Sequence, residues 1–220
     1  MARHGPAPAK RASPPPNLED IRMTSRVLLS ISIALVLTAC AGGARQGEVA
    51  RYDLGEVAID RRDPGLPLRR VAVRSPSWLG TTAMQYRLAY AEAARRETYA
   101  ESRWVAAPGE LLEAELGRHL GTAPVNGCQL SLELDEWVQQ FDSPAASRTR
   151  IRVRAALRPM HDDRILGRRV FSVEAPATSA DARGGVQAAN LAVAALARDI
   201  HGWLEKLHEE SPALAGRCGN

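Results

Sequence analysis

Polar and apolar residues alternate strictly in two stretches of the chain. In Leu130-Ser131-Leu132-Glu133-Leu134-Asp135 the leucines take every second place, and in Arg150-Ile151-Arg152-Val153-Arg154-Ala155 the arginines do. Period two sends alternate side chains to opposite faces of a strand. Each stretch therefore reads as a strand with one buried and one wet face, as in an antiparallel sheet. A third strand is expected over residues 168–175, after a polar turn over 158–163. Residues 51–55 and 70–73 read as short extended segments, and the charged, proline-bearing stretch 60–67 reads as a loop. Two other stretches carry a helical period. After Pro108, Leu112, Leu116 and Leu120 recur at four-residue steps, with Glu110 in the first turn, Arg118 and His119 in the last, and Gly121 as a stop. Over residues 183–207, Val186, Val193, Ile200 and Leu207 recur every seven residues, and Ala189, Leu196 and Trp203 fall three further on. The many alanines between them point to a helix packed closely on a sheet rather than to a dimer seam. Residues 84–104 fit two readings. Residues 91–97 are helix formers, while Tyr86, Leu88 and Tyr90 alternate. The expected fold is α+β: a largely antiparallel sheet with two main helices packed on it, in a single domain.

The N-terminal region has a different pattern. Residues 27–37 are an apolar run broken only by two serines, preceded by Arg26 and followed by Leu37-Thr38-Ala39-Cys40. The run is shorter than the roughly 20 residues that span a bilayer. It has the length of a signal-peptide core, and Leu37–Cys40 resembles a bacterial lipobox, so lipid attachment is expected at Cys40. Residues 1–22 are rich in proline and alanine and do not fit a signal peptide, whereas Met23 lies four residues before the run. The expected organisation is a leader or mis-assigned extension over 1–22 and a lipoprotein signal peptide over 23–39. A tether with a first short strand follows over 40–66, then a domain over 67–208 and a tail over 209–220. Ala41, which is not aspartate, favours the outer membrane.

Charge and chemistry narrow the picture. The formal net charge of the 220 residues is +4. Residues 1–39 hold five basic and two acidic side chains, which leaves 24 basic against 23 acidic from Cys40 onward. That near-neutral balance removes the case for nucleic acid. The row Arg150, Arg152, Arg154 is expected to meet Glu133 and Asp135 across neighbouring strands. The sequence has no nucleotide-binding glycine loop, zinc-protease motif or nucleophile elbow. His119, the His161-Asp162-Asp163 corner, His201 and His208 give no ligand spacing, so no metal, no cofactor beyond the covalent lipid on Cys40, and no catalytic residue is expected. With Cys40 lipidated, Cys128 and Cys218 are left. They either pair as a disulfide, as an oxidising periplasm allows, or Cys128 is simply a buried residue opening a strand.

Several segments then carry a resemblance. They are Tyr52-x-Leu54, Val71-Ala72-Val73, Met84-Gln85-Tyr86-Arg87, Tyr99-Ala100-Glu101-Ser102-Arg103-Trp104, and Pro108 opening the Leu111-Leu112 helix. Phe171-Ser172-Val173, the run Ala189 to Leu196, and Trp203-Leu204 complete the set. Over most of residues 50–205 the chain resembles the ABC-type transport auxiliary lipoproteins, the PqiC-like group associated with lipid transport across the Gram-negative envelope. The resemblance implies that residues 85–90 and 98–104 are strands of a hairpin around 93–96, and that the lipidated cysteine is Cys40. It implies a non-enzymatic component at the periplasmic face of the outer membrane. That component would dock on an inner-membrane transporter or substrate-binding ring protein and support outer-membrane integrity. Tyr99 and Trp104 on the hairpin are read either as a partner surface or as core residues. A structural lipoprotein scaffolding another envelope complex and a periplasmic lipid carrier are the alternatives.

Overall fold

The structure is a computed structural model that describes residues 48–58, 65–121 and 127–218. The leader, the apolar run, Cys40, most of the tether and residues 59–64 of the expected loop lie outside the described residues. Glu48 onward forms one compact unit.

Among the described residues, seven strands form one mixed sheet. They are β1 (Ala50–Tyr52), β2 (Leu68–Arg74), β3 (Ala83–Leu88), β4 (Glu97–Trp104), β5 (Cys128–Ser143), β6 (Ala146–Pro159) and β7 (Gly167–Pro176). The order is β1-β4-β3-β5-β6-β7, with β2 also paired to β5. The long β5–β6 and β6–β7 ladders and the β3–β4 hairpin are antiparallel, as the alternation predicts. The short strands β1, β2 and β3 join β4, β5 and β5 in parallel, which makes the sheet mixed. Helix α1 (Pro108–His119) packs on β2, and α2 (Ala182–Glu210) packs on β6 and β7.

Strand β5 is 16 residues long and runs well past the expected stretch. The reason is a register shift between Leu134 and Glu136. Before it the buried positions are Leu130, Leu132 and Leu134; after it that face carries Trp137, Gln139 and Phe141, and Val138 between them is buried as well. The bulge inserts one residue, so the alternation changes phase there and the second half does not read as a continuation of the first.

On the wet face of β5 and β6, among the described residues, only Arg154 of the arginine row meets the expected carboxylates, while Arg150 turns to β7. Glu133 lies opposite Arg154, and Arg154 reaches Asp135 at 2.8 Å and Glu133 at 3.0 Å. Arg148 and Arg150 both reach Glu174 on β7. These groups are exposed, so the pairs set register more than they add stability.

Helix α2 opens with Asp181 as N-cap; its side chain accepts from the Gly184 N–H at 2.8 Å. That bond holds the carboxyl below the usual carboxylate range. Its buried face is Ala188, Ala189, Ala192, Val193, Leu196, Ala197, Ile200, Trp203 and Leu204. Small residues let the helix lie close to the sheet. Gly185 marks the closest approach: a Cβ there would lie 2.1 Å from Gln139 Oε1. Gln139 cannot simply swing away. Its Nε2 donates to Ser147 Oγ at 2.9 Å and to the Asp181 carbonyl at 3.0 Å, and its Oε1 accepts from Tyr99.

The C-terminal end departs from the expected tail. Helix α2 continues to Glu210, and α3 (Ala213–Cys218) follows with Leu214 and Cys218 buried. Apolar Leu214 and the cysteine give this short segment something to bury. The structure joins Cys218 to Cys128 in a disulfide with a Cα–Cα distance of 4.6 Å, across 90 residues. Cys128 is the first residue of β5 and is fully buried.

Two stability measurements follow. Gly185→Ala should displace the Gln139 amide and cost about 1–3 kcal/mol by chemical denaturation, the range for stranding a buried polar group. Gly202→Ala, on the same helix but with open space at its Cβ, should instead stabilise by roughly 0.5–1 kcal/mol. Equal effects of the two would contradict the packing described. Replacing Cys128 and Cys218 together by serine should lower stability by about 2–5 kcal/mol. The reducing agent that has this effect on the wild type should have none on the variant.

Candidate functional site

The residues read either as partner surface or as core, Tyr99 and Trp104, both lie on β4. Trp104 is only 3% exposed and packs edge-on to Trp137, with ring centroids 5.8 Å apart. It belongs to the core, and the reading of it as a docking surface is corrected. Its position at the strand end, beside the Val105 that leads into α1, turns it under the sheet where Trp137 and Met84 are also buried.

Tyr99 is exposed only at intermediate level. Its ring lies 4.8 Å from that of Tyr86, and its hydroxyl donates to Gln139 Oε1 at 2.9 Å. Burial is the main cause that pushes its phenol far above the ordinary tyrosine range, with Asp181 and Tyr86 acting in the same direction. It is therefore a neutral donor throughout the physiological range. The two aromatics root the hairpin β3–β4 rather than face outward from it.

Arg87 follows Tyr86 on β3 and so points to the opposite face. There it reaches Glu136 Oε1 at 3.1 Å, and Arg96, from the end of the hairpin turn, reaches the same oxygen at 2.9 Å. The bulge leaves Asp135 without a cross-strand partner, and Glu136 is the residue that follows it. The extra residue in the strand thus aims a carboxylate at two guanidinium groups. Arg96 also donates to Gln85 Oε1 at 3.1 Å, and Gln85 donates to the Trp78 carbonyl at 2.7 Å. Burial lowers the Arg96 pKa and the Glu136 charge opposes that shift. The group stays cationic, as arginine does in proteins.

Above this cluster lies Trp78, in the short 3-10 turn Ser77–Leu79. The Arg96 guanidinium carbon sits 4.4 Å from the centre of its ring. Trp78 is nonetheless 43% exposed, and Tyr90 at the hairpin tip is 48% exposed. The hairpin therefore has a fixed base, an outward Tyr90 at its tip and an outward Trp78 on the turn that precedes it. A partly exposed tryptophan stacked on an ordered arginine is the composition of an interface centre. Sequence reasoning passed over Trp78, which sits in a turn, and took Tyr90 as a strand position by its alternation with Tyr86 and Leu88, whereas β3 ends at Leu88 and Tyr90 lies in the turn. The Ser75-Pro76-Ser77 stretch before Trp78 was the available sign that this tryptophan is not in a core element.

Other candidate chemistry stays dispersed. His119 lies 3.4 Å from Glu115 and His201 lies 3.3 Å from Glu205, each one helical turn away. Among the described residues, no group of three His, Cys, Asp or Glu side chains converges as a metal site would. Among them, too, no helix is long and apolar enough to cross a membrane. Cys40 lies outside the described residues, so its lipidation is not part of this geometry.

Comparison with known proteins starts from the fold. The Xanthomonas campestris protein XCC0632 superposes with a TM-score of 0.64 at 16% identity, over 74% of this chain and 99% of that one. A second crystal structure, of an uncharacterized protein, gives a TM-score of 0.55 at 14% identity, over 71% and 99%. At such identities the likeness is one of fold. No curated protein matches the chain. The sequence model of the ABC-type transport auxiliary lipoprotein component family matches residues 62–201. That span holds α1, strands β2 to β7 and most of α2, including the hairpin and its clamp. The chain belongs to the ABC-type transport auxiliary lipoprotein component family.

Proposed function

We propose that the protein is a lipid-anchored accessory component of an intermembrane lipid-transport system containing an ABC transporter, and that it acts by docking rather than by turnover. Membership of a lipoprotein family implies the bacterial envelope. Within it, the Cys40 anchor would hold the domain at the periplasmic face of the outer membrane. A lipoprotein's two or three acyl chains suffice for stable anchoring, where a single myristoyl-class chain does not. The partner would be an inner-membrane transporter or a substrate-binding ring protein, in support of outer-membrane integrity.

The observation that carries this reading is the hairpin β3–β4. Its inner face is tied to Gln139 through Tyr99, and its outer face to Glu136 through Arg87 and Arg96. A hairpin held on both faces presents Trp78 and Tyr90 without paying to order them on binding. The docking residues proposed are therefore Trp78, Tyr90 and Arg96, in place of Tyr99 and Trp104.

A photoactivatable amino acid at position 90, in cells making the full protein, tests this. A crosslink to a transporter subunit or a substrate-binding ring protein is expected. A crosslink only to another envelope machine, such as a cell-wall synthase, would overturn the reading in favour of a scaffold. Trp78→Ala should weaken binding to the crosslinked partner by about 2 kcal/mol, roughly 30-fold. Because Trp78 is exposed, its denaturation midpoint should stay near that of the wild type.

A further inference from the structure

A second concave surface lies away from the hairpin clamp, where the described domain begins. Strand β1 runs parallel to β4, and the Val105 N–H donates to the Tyr52 carbonyl at 2.8 Å. Beyond β1 the chain turns at Gly55, whose φ is +64° and whose N–H donates to Asp53 Oδ1 at 2.8 Å. Asn190 of α2 pins this turn, donating to the Leu54 and Glu56 carbonyls at 2.6 and 2.9 Å. Between the pinned turn and α2 lies a groove of about 530 Å³, lined by Tyr52, Leu54, Val105, Val186 and Leu191, with Arg51, Asp53 and polar groups of α2 also in its wall. That size is within the roughly 300–1,000 Å³ of small-molecule sites.

Two features of the groove set its chemistry. Its rim is apolar yet open: Val105 is 48% and Leu191 52% exposed, and Val49, directly before β1, is exposed as well. Its cation is uncommitted. Asp53, two residues from Arg51, is engaged by Gly55, and among the described residues Arg51 has no ion-pair partner. A groove with an apolar rim and an exposed arginine in its wall that no carboxylate pairs matches an acyl chain below a phosphate.

The chain itself says which lipid is at hand. Only residues 41–47 separate Cys40 from the start of the described domain at Glu48. Even fully extended, the path from Cys40 to Arg51 spans at most about 40 Å. Whatever anchors Cys40 keeps this groove close to the bilayer. We infer that the groove beside β1 is a second membrane contact, taking an acyl chain of a phospholipid in the anchoring leaflet with Arg51 on its phosphate. The inference rests on the lipidation of Cys40 in the proposed function. It gives the domain a preferred face toward the membrane, which a tether alone does not.

The test uses the mature lipoprotein in vesicles of phosphatidylethanolamine and phosphatidylglycerol doped with a phospholipid carrying a diazirine on its acyl chain. After irradiation and digestion, mass spectrometry maps the adducts. Adducts concentrated on residues 49–55, 105 and 186–191 are expected. They should be lost in the Val105→Glu, Leu191→Glu double variant, whose changes are at exposed positions and should leave the denaturation midpoint unchanged. A lipidated N-terminal peptide with adducts elsewhere, or spread evenly over the surface, would overturn the inference and leave the proposed function standing. An N-terminal peptide without lipid would overturn both. Adducts that persist in the double variant would show that the groove does not direct them and would also overturn it.

Discussion

Strand β5 is paired with β6 along its length and takes a partner on its other edge at each end, and the rest of the molecule is arranged around that fact. Strand β6 runs along one edge from Cys128 to Ser143. The other edge is shared: β2 takes residues 128–133 and β3 takes 139–141. Both arrive in parallel, so each must be delivered by a crossover rather than a tight turn. The bulge after Leu134 falls between these two partners. It lets the first half of β5 face leucines inward toward α1 and α2. The second half then turns Glu136 to the open face and Gln139 to the inner one. The hairpin is gripped by those two residues.

Much of this was legible in the sequence, and the illegible parts have identifiable causes. The alternation of Leu130, Leu132 and Leu134 with Ser131 and Glu133, and of the arginines on β6, marked both strands and their wet face. The spacing of Leu112, Leu116 and Leu120 marked α1. The second half of β5 was hidden because a bulge breaks period two, although Trp137 and Phe141 are as buried as the leucines. The hairpin came from family resemblance, since residues 91–97 favour helix by local propensity. Among the described residues, Trp104 shows the opposite limit. An aromatic on a predicted hairpin reads equally as core or as interface, and only its packing on Trp137 decides. Trp78 and Asn190 had no signal in pattern at all, because their roles depend on Arg96 and on the Leu54–Glu56 carbonyls, which are distant in sequence.

The buried polar residues named above act as anchors within the fold. Gln139 and Glu136 spend their hydrogen-bonding capacity on holding β3–β4, and Asn190 spends its own on the turn after β1. Each is partly or fully buried and satisfied, which makes it a fixed point rather than a reactive one. What is left outward is apolar or aromatic: Trp78 and Tyr90 at the hairpin, Val105 and Leu191 at the groove. Burying such groups is favourable and non-directional, so their exposure on a well-packed domain fits a protein whose work is contact. The disulfide between Cys128 and Cys218 closes the chain's last helix onto the first residue of β5. It strengthens the strand on which the hairpin is held.

Hydrogen exchange of the oxidised protein, followed by mass spectrometry, tests most directly whether β5 is one continuous spine. The account predicts that residues 130–134 and 137–141 exchange together, as slowly as the facing residues of β6. If residues 137–141 instead exchanged early, in step with β3 and β4, while 130–134 stayed protected, the bulge would be a hinge. The hairpin would then not be rigidly held, and the account would be wrong.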